Sequence, residues 1–218
     1  MFRFSTYSYD EVMQSELKGT LASILEMYGC REILIPIFTC INELLVNALK
    51  ANYKNLYFED YRNGVPDIPY ETALRLFKVE ISTGRIEKLA ELARMNAVSA
   101  DVQAHIENDT LFVAVENPYP MTRQEEENVT RKLAIAADVD GIADFFTVSE
   151  SDPYKEGAGL GIVFVGIMLK SMGLAPENLS IRSEQGRTRA AFSIPLNEHT
   201  VESYRKYKDR HDTVPAHP

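Results

Sequence analysis

The sequence predicts an α/β (α+β) domain of mixed helix and strand. Three observations point to it: two early segments with helical spacing, two hairpins of alternating apolar and polar residues, and an apolar helix opened by glycines. The chain has 218 residues, enough for one domain with a sizeable core. Hydrophobic residues make up 45% and charged residues 25%, the profile of a globular protein.

Met13, Leu17, Leu21, Ile24, Leu25 and Tyr28 recur every three or four residues, so a helix is expected over 13–28, with Gly29 as its stop. A second helix is expected from about 36 to 54, with Pro36 in its first turn. Residues 63–69 carry one glycine and two prolines and read as a loop. Helices are expected at 71–77 and 85–97. Then 102–107 and 111–116 form a hairpin about Asn108-Asp109. A charged helix over 122–137 is followed by a loop over 138–156 and an apolar helix over 161–172. Residues 179–183 and 188–194 form a second hairpin, and 198–218 a polar tail.

The net charge of −9 does not attract a phosphate backbone, which argues against nucleic acid as a partner. Cys30 and Cys40 lack the spacing of a zinc site or disulfide framework. Residues 1–10 are polar where a signal peptide is apolar, and the longest apolar run, 161–169, is too short to span a bilayer. The expectation is a cytoplasmic protein without membrane insertion.

Two segments carry the chemistry. Glu43, Asn47 and Lys50 stand at i, i+4 and i+7, on one face of the second helix. A carboxylate, an amide and an ammonium in a line suit a magnesium–triphosphate: oxygen ligands for the metal, a cation for the phosphates, a carboxylate to orient a water. An ordinary amphipathic helix accounts for the same stripe equally well. In the second segment, Gly157, Gly159 and Gly161 alternate around Leu160 just before the apolar helix. Glycines let backbone N–H groups approach an anion, and the helix start adds its own. The segment is neither a P-loop nor a Rossmann fingerprint; a glycine turn before a buried helix is the plain alternative. A third segment, Gly186-Arg187-Thr188, is a turn feeding a strand.

In this order and spacing the segments resemble the GHKL superfamily of histidine kinase-like ATPases. Glu43–Asn47–Lys50 looks like the N-box, Gly157–Gly159–Gly161 the glycine box of the ATP lid, and Gly186 with Thr188 the terminal turn beside adenine. The resemblance covers about residues 30–196 and implies the Bergerat fold, a two-layer sandwich of a mixed sheet and helices with nucleotide between them. It implies a domain over 36–196 with an insertion at 66–99, preceded by a helical segment, 1–35, and followed by a tail, 197–218. ATP and Mg2+ are the implied cofactors. Asn47 and Glu43 would hold the metal, Glu43 and Lys50 would act in catalysis, and Asn47, Lys50, Gly157, Gly159, Leu160, Gly161 and Thr188 would bind ATP. Glu116 or Asn117 would read adenine.

The sequence departs from the family where Glu116, Pro118 and Pro120 replace the Asp and two Gly of Asp-x-Gly-x-Gly. No histidine precedes the N-box; His105, His199, His211 and His217 all follow it. The expectation is therefore a stand-alone module that does not phosphorylate its own histidine. It acts on an unidentified signalling protein as a kinase or regulator; alternatively, it is a degenerate GHKL domain serving as a non-catalytic interaction module. An interaction protein with purely structural glycine turns is the reading outside the superfamily. Oligomeric state is not legible.

Overall fold

The structure, a computed structural model, describes residues 1–64, 69–82, 86–141 and 160–212. In chain order the elements are β1 (Phe2–Thr6), α1 (Glu11–Met27), a 3-10 turn (Arg31–Ile33), α2 (Leu34–Gly64), α3 (Tyr70–Ser82), α4 (Ile86–Met95), β2 (Ala100–Glu107) and β3 (Thr110–Asn117). After them come α5 (Arg123–Asp138), α6 (Leu160–Ser171), a second 3-10 turn (Pro176–Asn178), β4 (Leu179–Glu184), β5 (Arg187–Pro195) and α7 (Glu198–Asp212).

Five strands form one sheet in the order β1-β2-β3-β5-β4. The expected mixed sheet is corrected: every pairing is antiparallel. Two come from tight hairpins. Their turn residues, Asn108 and Asp109 (φ 48° and 54°) and Gln185 and Gly186 (φ 50° and 77°), take the left-handed backbone that matches strand twist. β4 runs parallel to β3, but β5 lies between them, so no parallel ladder forms.

The N-terminal segment expected as helical, 1–35, opens with a strand, β1, ahead of α1. Phe2 and Phe4 alternate with Arg3 and Ser5, and the strand sets Phe4 opposite Val102 and Phe2 opposite Ala104 at the sheet edge. α1 is capped by Asp10, whose carboxylate accepts from the Met13 N–H at 2.9 Å. It stops where expected. Gly29 has φ +66°, and the N–H groups of Cys30 and Gly29 return to the carbonyls of Leu25 and Glu26, a Schellman ending.

α2 runs well past residue 54 and packs on β2 and β3. Ile37, Ile41 and Leu45 are fully buried along its core side, opposite Val102, Leu111, Val113 and Val115 of the sheet. By length and composition Arg31–Glu59 could cross a membrane; 56% of its apolar window is buried within the fold, as the core helix of a sheet protein requires. α1, α3, α4 and α6 also contact α2. The segment expected as an insertion thus supplies two helices, of which α4 buries Leu89, Ala90 and Ala93.

The other sheet face is polar. Arg3 pairs with Asp101 at 2.7 Å, Gln103 donates to Glu116, Arg189 pairs with Glu116, and His105 stacks on Phe112 with ring centroids 5.0 Å apart.

α5 and α6 share a small separate core of Ala136, Val139, Val163 and Ile167. Gly166 makes this approach possible: a Cβ there would lie 2.6 Å from Cβ of Ala136. Gly166→Ala is expected to cost about 1–3 kcal/mol by overpacking. In urea unfolding, the cycle with Ala136→Gly should show coupling, the double variant losing less than the two singles summed.

Candidate functional site

A cavity of about 240 Å³ opens between α2, α5 and the helix-facing side of the sheet. Its volume is just below that of a whole small-molecule site. One wall is α2, where Asn47, Ala51 and Asn55 follow at one-turn intervals beside Leu44 and Ala48. The floor is Val115 and Asn117 of β3, Thr188 and Ala190 of β5, and Ile181 of β4. Glu125, Asn128, Val129 and Lys132 of α5 make the facing wall, and Ile162 of α6 joins them.

Strand alternation decides between Glu116 and Asn117. Leu111, Val113 and Val115 face the helices, so Asn117 faces them too and is 3% exposed. Glu116 turns to the opposite sheet face, where it is held by Arg189 and Gln103. The expectation that Glu116 shares the site is thereby corrected. Asn117 and Thr188 are register partners across β3 and β5.

The segment after β3 is fastened down. Asn117 Nδ2 donates to the Tyr119 carbonyl at 3.3 Å, and Thr188 Oγ1 donates to the same oxygen at 2.8 Å. The Met121 N–H donates to Ser183 Oγ at 3.0 Å. With its nitrogen engaged, the Asn117 side chain has its amide oxygen to offer the cavity.

At the other end, the first turn of α6 meets α2. A Cβ on Gly161 would lie 2.6 Å from Glu43 Oε2 and 3.2 Å from Asn47 Nδ2. A side chain at 161 would displace the ends of the Glu43 and Asn47 side chains from this place. Glu43, Asn47 and the Gly161 backbone come together. Neither Glu43 nor Lys50 lines the cavity itself, and Lys50 is exposed. At 3.6 residues per turn, Lys50 lies roughly 60° round the helix from Asn47, on the flank that also carries Glu43 and away from Ala51 and Asn55. Leu160 opens α6 and is half-buried. Gly157 and Gly159 lie outside the described residues.

Sequence reasoning missed Asn55, Asn128 and the Lys54–Glu125 pair. Asn55 lies two turns beyond Asn47 on the same stripe, just past the point where the second helix was expected to end. Lys54 pairs with Glu125, joining the two walls. Glu125 also completes a capping box with Thr122 at the start of α5. Burial works to raise the Glu125 carboxyl, but the Lys54 ammonium and the Thr122 N–H outweigh it and hold it below the usual range. Among the described residues, no group of three or more His, Cys, Asp or Glu is placed to hold a metal ion.

No family model matches the chain, and no solved structure matches it. A Treponema pallidum (strain Nichols) protein, described only as uncharacterized, is 27% identical over 219 residues. The match covers 98% of this chain and 42% of that protein, so the chain spans about two fifths of its relative.

A carboxylate held below its unfolded value, about 4.3, stabilises the fold above that pH. The contribution is lost as pH falls through the lower, folded value. Lys54→Met should therefore lower stability by on the order of 1 kcal/mol at pH 7 after solvent screening. The gap between wild type and variant should close as the medium is taken below about pH 4, as read from urea midpoints across pH.

Proposed function

We propose that this domain binds Mg-ATP in the cavity between α2, α5 and the sheet, as a GHKL-type module of cytoplasmic signalling that acts on a partner protein. The observation that carries the reading is convergence. Asn47, Asn117 and Thr188, from three distant parts of the chain, line one cavity, and the Gly161 backbone abuts Glu43 and Asn47 at its edge.

The groups present suit the parts of a nucleotide. Val115, Ile181 and Ala190 offer an apolar floor for a base, and the Asn117 oxygen an acceptor at its edge. The start of α6 lies beside Asn47, where its N–H groups favour an anion. Glu43 and Asn47 bring a carboxylate and an amide to one place, oxygen donors fit for magnesium that also binds phosphate. Bound there, magnesium would screen phosphate charge. Glu43 would hold an attacking water or hydroxyl in line, a positioning role of the kind that phosphoryl transfer depends on.

A second reading, a binding module without transfer activity, is favoured by one specific observation. Pro118 and Pro120 occupy the family's glycine positions.

Isothermal titration with ATP and magnesium tests the binding claim. Saturable binding is expected, weakened at least about tenfold by Asn47→Ala through loss of a charge-assisted contact; no heat up to millimolar nucleotide refutes it. Labelled ATP with cell extract then separates the two readings: label moved to a protein by wild type, and by neither Asn47→Ala nor Glu43→Gln, marks a kinase.

A further inference from the structure

The cavity carries four asparagines, Asn47 and Asn55 on α2, Asn117 on β3 and Asn128 on α5. Hydrogen bonds to protein orient three of them. Asn55 Nδ2 donates to the Ala51 carbonyl at 2.9 Å, and Asn117 Nδ2 to the Tyr119 carbonyl at 3.3 Å. Each therefore has its oxygen to present as an acceptor. Asn128 is set the other way: its Oδ1 accepts from Arg131 Nη2 at 3.1 Å, so its N–H groups are the ones to offer.

We infer that Asn55 is a specificity-determining residue, the second of two amide oxygens that select a base bearing an exocyclic amino group. The inference rests on the nucleotide reading above and adds to it a residue and a rule of selection. An amino group has two hydrogens, one for each oxygen. The Asn128 amide supplies a donor for a ring nitrogen of the same base. A 6-oxo base turns an acceptor toward two acceptors and leaves them unpaired, and such mismatches discriminate more strongly than a missing apolar contact. Lys54, adjacent to Asn55 in α2, pairs with Glu125 one turn before Asn128 in α5. That pair ties the Asn55 wall to the Asn128 wall.

The test is titration of wild type, Asn55→Leu and Asn55→Asp with three probes in magnesium: ATP, purine riboside triphosphate lacking the 6-amino group, and inosine triphosphate with its 6-oxo group. Wild type should prefer ATP to both others. Asn55→Leu should cut the preference for ATP over purine riboside triphosphate by about threefold to tenfold, one hydrogen bond's worth, and narrow the gap to inosine triphosphate. Asn55→Asp keeps an acceptor oxygen but loses the bond to the Ala51 carbonyl, so it should retain more of the preference than Asn55→Leu and less than wild type. Equal weakening of ATP and purine riboside triphosphate by Asn55→Leu would assign Asn55 to packing and overturn the inference, while leaving nucleotide binding intact. If wild type binds none of the three probes, the nucleotide reading itself falls, and the inference with it. Should Asn55→Leu lose its circular dichroism spectrum, Asn55→Ala, expected to shift the ratio in the same direction, decides between these outcomes.

Discussion

Helix α2 has to bury one side against β2 and β3 while keeping a run of polar side chains beside that contact. Ile37, Ile41 and Leu45 meet the sheet with no exposure, and this apolar burial is the main favourable term holding the two layers together. Because a helix turns by a fixed angle per residue, seating those side chains also decides where Asn47, Ala51 and Asn55 point. They fall at the edge of the contact, where the cavity begins. The small side chains of Ala48 and Ala51 keep that edge open.

The remaining elements are arranged around this boundary. The start of α6 lies against Glu43 and Asn47 of α2 at Gly161, and α5 comes close to α6 because Gly166 carries no side chain. A chain of close approaches thus runs from α2 through α6 to α5, and the Lys54–Glu125 pair completes it back to α2. α3 and α4 pack on α2 away from the cavity lining. The polar sheet face takes up Glu116, Arg189, Asp101 and Arg3 in cross-strand pairs, leaving the helix-facing side to the core and the cavity.

Much of this was legible in the residues. The hairpins follow from period-two alternation and from Asn108-Asp109, residues that tolerate the left-handed turn. Gly29 ended α1 as its conformational freedom suggests. The pairing of Glu43 with Asn47 follows from helical spacing, and their meeting with Gly161 from the order of motifs. Other features needed the tertiary structure. β1 is five residues long and is held by pairing with β2 and by Phe2 and Phe4 against the core. The choice between Glu116 and Asn117 depends on which face of β3 is covered, a fact about α2 rather than about the strand. Lys50 shows the limit of a face argument: residues three and four apart are neighbours, yet a cavity edge can pass between them. Asn128 reaches the site only through the placement of α5, which no local pattern encodes.

The Tyr119 carbonyl, which accepts from both Asn117 and Thr188 between two prolines, has a thermodynamic meaning for anything that enters beside it. Glycines at 118 and 120 would leave that edge many conformations to surrender on contact. Here the ordering cost is settled during folding, so an incoming molecule would meet a wall that is already ordered. Contact at this edge would therefore add little to the ordering already made in the fold.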